Sequence, residues 1–291
     1  MAQILEQPIP NQLSQPNPYH ETVVVSGGPI VLSVWPGDPG APTVVFLCGT
    51  MTYPLFYAEF LDGLNQRGLS VVGVYLQGHG KSPRVGSRLG WANLVANATD
   101  AVGWAADHLG GPLVLLGSSQ GGVLAMAVAA RNRRLALVAA HNVLDPSLSG
   151  SLMISRLPGW LVGGYRPLLA ALRLAARLAP ELPVPVRASL DLDRVCGQPE
   201  TRRRFLTDPL GLRCYPLGFL AELVTATWPS CGTAASAARC WCSRPPGIRC
   251  SASATPGGCS TGSWPPPRSC WCSMLTGTCC STSACSWSQI P

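Results

Sequence analysis

A chain of 291 residues, 47% of them hydrophobic, is long enough for one large α/β domain with an inserted cap and apolar enough to build its core. The net charge of +7 is unevenly spread: residues 1–228 hold seventeen basic against fourteen acidic side chains, and residues 229–291 add four arginines with no acidic residue. A nearly neutral body gives no reason to expect a nucleic-acid partner. No apolar run reaches bilayer-crossing length and no basic-then-apolar leader opens the chain, so no transmembrane segment and a cytoplasmic location are expected.

In chain order, residues 1–20 are polar and proline-rich and read as a disordered or loosely attached lead. Thr22–Val25 and Ile30–Trp35 are β-branched runs around Ser26-Gly27-Gly28-Pro29, an opening hairpin. Thr43–Leu47 and Ser70–Tyr75 read as buried strands, with a helical pattern over Pro54–Gln66 between them and another over Asn93–Leu109 after them. The apolar run Pro112–Leu116 precedes Gly117-Ser118-Ser119-Gln120-Gly121, and the helical stretch Val123–Arg131 follows it. Leu135–Ala140 is the next strand. Alternating strands and helices imply a parallel sheet with helices on both faces, an α/β class, over residues 21–145.

The pentapeptide 117–121 fits G-x-S-x-G. Between a strand and a helix, this turn forces Ser119 out of the backbone plane as a nucleophile, and its glycines let strand and helix approach closely. A glycine-rich turn with an incidental serine is the plain alternative. Upstream, the strand Thr43–Leu47 ends in Cys48-Gly49-Thr50. The strand Ser70–Tyr75 runs into Leu76-Gln77-Gly78-His79-Gly80-Lys81-Ser82.

With these three motifs in this order, residues 20–228 resemble the α/β-hydrolases, in particular the monoacylglycerol lipase, lysophospholipase and esterase group of serine hydrolases. The group usually has His-Gly where Cys48-Gly49 stands, and Asp and Arg where Tyr75 and Gln77 stand. The resemblance implies an α/β-hydrolase fold with a helical cap. It implies that Ser119 attacks an acyl ester, with the main-chain N–H groups of Thr50 and Gln120 as the oxyanion hole. It implies a small acyl ester or lipid-like substrate, with no cofactor and no metal. Two other readings of the same fold stay open. One is a catalytically dead scaffold or binding protein. The other is a different reaction, C–C bond hydrolysis or cofactor-free peroxidation of the haloperoxidase type.

Residues 146–228 break the alternation and occupy the place and size of the cap in lipase-like members. Helices are expected at Trp160–Ala179 and Leu217–Thr227, separated by Pro180, Pro183 and Pro185. Arg166, Arg173 and Arg177 lie at helical spacing beside Leu169, Leu172 and Leu174. That pattern is a solvated basic face over an apolar packing face, or a cap surface making weak contact with a membrane.

From about Pro229 the composition changes abruptly. Ten of the thirteen cysteines lie beyond Ser230, while Val, Phe, Tyr, Asn, Asp, Glu, His and Lys are absent from 229–291. A disulfide-bonded or metal-binding appendix is opposed by the lack of His, by cysteine spacings unlike those of a zinc site and by the cytoplasmic location expected for the body, and four tryptophans and ten cysteines argue against a disordered low-complexity tail. A shifted reading frame accounts for the composition better. If one base is lost near codon 229, each original codon is the wobble base of one residue plus the first two bases of the next. Cys240-Trp241-Cys242-Ser243 then gives Leu, Val or Met, then Leu, then Val, then Leu or Phe if Ser243 uses a TCN codon. Cys270-Trp271-Cys272-Ser273 gives the same pattern. Other codons permit an Asp straddling Gly247 and Ile248 and a His straddling Gly277 and Thr278, in the Ser, Asp, His order that the resemblance implies.

In the chain as written, that acid and base are missing. The histidines are His20, His79, His108 and His141. His79 reads as structural and His108 as solvated. His141, at the end of the strand after the nucleophile helix, and Asp145 are the substitute base and acid to examine. The chain is expected to be inactive, to lack the C-terminal strands of the fold, and to show no ladder pairing with the main sheet after Pro229.

Overall fold

The computed structural model describes residues 17–141, 156, 164–196, 198–225, 239–243, 272–273 and 278–279. Residues 1–16, Asp145 and most of the stretch after Thr225 lie outside the described residues. Strands β1 (His20–Val25) and β2 (Pro29–Trp35) form an antiparallel hairpin. Gly27 takes a positive φ of 64° at the turn, where a side chain would be strained. Then follow β3 (Thr43–Leu47), a 3-10 turn (Pro54–Tyr57), α1 (Ala58–Asn65), β4 (Ser70–Tyr75), α2 (Trp91–His108), β5 (Leu113–Ser118), α3 (Gln120–Ala129) and β6 (Leu135–His141). The proline at the head of Pro54–Gln66 tightens its first turn into 3-10 geometry. Helix α2 starts two residues before the predicted Asn93, and α3 starts three before Val123, directly on the serine turn.

The main sheet has the order β1-β2-β4-β3-β5-β6-β9, parallel from β4 onward. Strands β3 and β4 are buried along their whole length, which is why they read as continuous apolar runs rather than alternating ones. Two apolar clusters cover the two faces. One gathers Val45, Leu47, Val72, Val74 and Leu115 with Leu94, Val102, Leu124 and Val128 of α2 and α3. The other sets Trp35, Phe46, Cys48 and Val71 against Leu61 of α1.

The cap contains α4 (Tyr165–Leu178), β7 (Pro183–Pro185), the short helices α5 (Val186–Ser189) and α6 (Leu192–Val195), α7 (Pro199–Thr207), β8 (Cys214–Pro216) and α8 (Leu217–Thr225). Strand β7 pairs antiparallel with β8. Neither that ribbon nor α7 was expected from the sequence; three residues carry no readable period, and the Arg-rich α7 has no buried residue. On α4 the expected packing face is only partly realised. Leu172 packs near Ala176, Leu217 and Ala221, whereas Leu174 and Leu178 are exposed, beside exposed arginines 166, 173 and 177. No helix among the described residues is long and apolar enough to cross a membrane.

One expectation is overturned. Strand β9 (Arg239–Ser243), within the compositionally aberrant stretch, pairs parallel with β6 from Leu137↔Arg239 to His141↔Ser243. The edge of β6 is therefore not bare. A strand edge presents unpaired N–H and C=O groups to any extended backbone, and such a ladder does not require a particular side-chain pattern. Beyond it, the described residues add only the two-residue strands β10 (Cys272–Ser273) and β11 (Thr278–Cys279), which pair with each other and not with the main sheet.

Candidate active site

The parallel register brings the carboxyl ends of β3, β4, β5 and β6 to one edge of the sheet. Leu47 lies opposite Gly117 and Val74, and Ser118 opposite His141. The segments that leave these ends include Cys48–Tyr53, Leu76–Ser82 and the serine turn. In open α/β sheets this edge is where binding crevices form, because the connections diverge there to opposite faces.

Ser119 has φ 52° and ψ −118°, a conformation rare for any residue with a Cβ. Its surroundings hold it there. The Ser119 N–H donates to the His141 carbonyl at 2.8 Å, and the Ser119 carbonyl accepts from the Gly122 and Val123 N–H groups at 2.9 and 3.2 Å. Two glycines permit the close approach. A Cβ on Gly121 would lie 2.2 Å from the Leu47 carbonyl oxygen, and one on Gly117 would lie 2.1 Å from that of Gly121. The side chain of Ser119 is half-buried.

The loop after β3 lies alongside: a Cβ placed on Gly49 would be 3.5 Å from the Ser119 Cβ. Its backbone is heavily constrained. The Thr52 N–H and hydroxyl both donate to the Gly49 carbonyl, at 3.2 and 2.9 Å. The hydroxyl of half-buried Tyr57 bonds the Gly49 backbone, the Thr52 hydroxyl and the Ser118 side chain, and desolvation raises its pKa above the ordinary value. Met51 takes a positive φ of 68°; its N–H donates to the Tyr215 hydroxyl at 3.1 Å, and its carbonyl accepts from the Leu212 N–H at 3.1 Å. Two amides next to Ser119, those of Thr50 and Gln120, have no hydrogen-bond partner among the described residues. Their side chains meet each other, the Thr50 hydroxyl donating to Gln120 Oε1 at 3.0 Å. The candidate anion donors are thus brought together with the candidate nucleophile.

The candidate bases are not. His79 is buried, and desolvation lowers its pKa to about 4, so it is neutral. Its Nδ1 donates to the Gln77 carbonyl at 3.0 Å and its Nε2 lies 3.0 Å from the Tyr215 hydroxyl. These bonds make it part of the scaffold. His108 stacks on Trp104 and bonds the Trp104 carbonyl, and His20 is exposed on β1. The His141 carbonyl accepts from the Ser119 N–H, while its exposed imidazole has no hydrogen bond to Ser119 among the described residues. Partial desolvation holds the His141 pKa below the ordinary value. Its proposed partner Asp145 lies outside the described residues.

The turn Gly78-His79-Gly80 is anchored by Ser82, whose hydroxyl donates to the Tyr75 carbonyl at 2.5 Å and accepts from the Val31 N–H at 2.9 Å. Asn97 accepts from the Gln77 N–H and donates to Ser26. A cavity of about 300 Å³ lies between this turn and the cap, lined by Gly78, Arg84, Ser87, Leu212, Cys214 and Tyr215 among others. Sequence reasoning missed Tyr57 and Tyr215. Tyr57 sits among aromatic packing residues, and Tyr215 sits in a stretch without any period, so neither carried a signal.

Comparison with known proteins agrees with this architecture. The family model described as serine aminopeptidase, S33, matches residues 39–236, more than half of the chain. A monoacylglycerol lipase of Mycolicibacterium smegmatis is 29% identical over 197 residues, covering 66% of this chain and 64% of that protein. Among solved structures, a soluble variant of the Saccharomyces cerevisiae monoglyceride lipase matches with a TM-score of 0.58 at 16% identity, over 74% of this chain and 70% of that one. The Paleococcus ferrophilus monoacylglycerol lipase matches at 0.53 and 20% identity, over 73% of this chain and 76% of that one. Sheet order, serine turn and family match agree, and the chain belongs to the serine aminopeptidase S33 family, with the α/β-hydrolase fold.

Proposed function

We propose that this chain is built as a serine hydrolase of uncharged acyl esters, of the monoacylglycerol lipase kind, and that its stretch from about residue 229 is translated out of frame. The observation that carries the first part is that the amides of Thr50 and Gln120, two residues whose side chains meet next to a serine held at a left-handed φ, have no hydrogen-bond partner among the described residues. An acyl carbonyl attacked by Ser119 Oγ develops its negative charge on oxygen, and two preorganised N–H donors stabilise it without reorganisation. The serine proton passes to a base and then to the leaving alcohol as the acyl-enzyme forms. Water attacks that acyl group in turn and releases the acid. The monoacylglycerol lipase relative and the nearly neutral body support an acyl ester over a charged peptide.

The second part rests on the codon argument and on the position of β9. The strand falls on Cys240-Trp241-Cys242-Ser243, the residues whose shifted reading forces an apolar run. The residues present supply no base within bonding reach of Ser119 among those described. Sequencing the gene around codon 229, and expressing the 291-residue chain beside a frame-restored one, tests both parts. The restored protein is expected to take a fluorophosphonate label on Ser119 and to turn over p-nitrophenyl acyl esters at least about 10⁴-fold faster than the chain as given. Label on another residue, or none with the frame intact, refutes the nucleophile. Comparable turnover by the two chains refutes the frameshift. A stably folded but unreactive restored protein favours the scaffold reading.

A further inference from the structure

We propose that Tyr215, carried by cap strand β8, is a positioning residue for the anion-binding loop, so that the placement of the Thr50 amide depends on the docking of the cap. The inference rests on the ester-hydrolase reading above. It starts from Met51, a non-glycine residue at a φ of 68°. Such a conformation is costly for a residue with a Cβ and persists only where the surroundings over-determine it. Here both sides of Met51 are held by one cap segment: its N–H by the Tyr215 hydroxyl at 3.1 Å, and its carbonyl by the Leu212 N–H at 3.1 Å.

The consequence for Thr50 is geometric. The Met51 N–H belongs to the peptide plane that leaves Thr50, and fixing that plane fixes the Thr50 ψ. The Gly49 carbonyl belongs to the plane that enters Thr50 and carries its N–H, and Thr52 holds that carbonyl through both its N–H and its hydroxyl. The Thr50 amide thus sits between two planes, one fixed from inside the loop and one fixed from the cap. Remove the second constraint and a rotation about two backbone bonds re-aims a donor whose value depends on direction.

The hydroxyl of Tyr215 also has a defined role for its single proton. His79 Nδ1 lies on the Gln77 carbonyl and must carry hydrogen there, so the neutral ring offers a bare Nε2 to the Tyr215 O–H at 3.0 Å. The Tyr215 oxygen then accepts from Met51. Gln120 Oε1 accepts from the Thr50 hydroxyl at 3.0 Å and lies 3.4 Å from the Tyr215 oxygen, a second and more distant acceptor for the same Tyr215 proton. Tyr215 is 1% exposed, so water does not replace its bonds when the hydroxyl is removed. Its ring stacks on Phe219 at 4.9 Å, a contact that phenylalanine preserves.

The test compares Tyr215→Phe with its parent. In the 291-residue chain, amide hydrogen exchange over residues 48–53 is expected to speed up by about tenfold or more, with β3, β4 and β5 unchanged; unchanged exchange in the loop overturns the proposal. In the frame-restored protein, kcat on a p-nitrophenyl ester is expected to fall by about 10- to 100-fold with KM within about twofold. Phe219→Leu, which alters the packing but keeps the hydroxyl, is expected to leave kcat nearly unchanged, and an equal loss in both variants overturns the proposal. If the restored parent neither hydrolyses esters nor reacts with a fluorophosphonate, the functional reading fails, and the exchange comparison still decides the role of Tyr215. Should Tyr215→Phe not fold, the ¹⁵N spectrum of His79 in the unmutated chain decides. A proton on Nδ1 and none on Nε2 supports the network, and the reverse tautomer overturns it.

Discussion

Strand β6 has two parallel neighbours that could hardly differ more in sequence. On one side β5 is Leu-Val-Leu-Leu-Gly-Ser; on the other β9 is Arg-Cys-Trp-Cys-Ser. Both align along the same backbone, with Ser118 and Ser243 each opposite His141. The difference separates two things that a sheet diagram merges. Ladder hydrogen bonds depend on an available edge and an extended partner, and they contribute modestly in net terms because water satisfied the same groups before folding. Stability comes from apolar side chains between layers, and Leu115 of β5 is fully buried in the cluster under α2 and α3. The serine turn is tied to this well-packed side.

Side-chain truncation is the strongest way to sharpen that contrast. Leu115→Ala is expected to cost about 2–5 kcal/mol and to lower the melting midpoint by about 5–15 °C. Cys240→Ala, at the matching place on the other neighbour, is expected to move it by no more than about 2 °C. Equal shifts would show that β9 is packed as tightly as β5.

A comparable effect comes from pH, because the packed side also buries a titratable group. His79 is held neutral with its pKa at about 4, below the ordinary 6.5. The unfolded chain therefore binds the extra proton first as pH falls. The stability from burying the neutral ring is complete above about 6.5 and is lost progressively down to about 4, to a total of about 3 kcal/mol. Urea midpoints measured from pH 7 to pH 4 should fall along that curve, and His79→Gln should flatten it. A midpoint independent of pH in the parent would contradict the buried neutral ring.

A small effect is expected even from removing the other side altogether. Deleting residues 229–291 is expected to lower the melting midpoint by less than about 3 °C, since the ladder it removes from β6 is five residues long and ladder bonds contribute modestly in net terms. Restoring the proposed frame is expected to raise it by more than that, because the shifted codons would place Leu and Val where Cys and Trp now stand. A collapse on deletion would mean that the aberrant stretch stabilises the domain through its side chains.

How legible these features were depends on how local their causes are. The strands β1 to β6, the helix pattern between them and the serine turn could all be read in chain order. Each depends on residues within a dozen positions: β-branched runs, glycine at a forced close approach, a proline tightening one helical turn. The convergence of Cys48-Gly49-Thr50 on Ser119 was expected through the resemblance, and it follows from the register Leu47↔Gly117, which no local pattern encodes. The cap was legible as a break in alternation and not as a structure, because β7 and β8 are too short to show a period and meet only in three dimensions. The expectation of an unpaired tail failed for the same reason: an open edge on β6 is a property of the assembled sheet, and Arg239–Ser243 contains nothing that announces it.

What the residues determined on their own was therefore the class of fold, the strained serine and the poverty of acid–base partners, all matters of composition and short-range sterics. What only the tertiary structure decided was which groups are already occupied. The Met51 amide, the His79 ring and the Tyr57 hydroxyl are engaged, while the Thr50 and Gln120 amides have no partner among the described residues. A hydrogen bond saturates its donor, and saturation depends on partners up to 164 residues away, as between Met51 and Tyr215, so it becomes visible only once the chain has closed on itself.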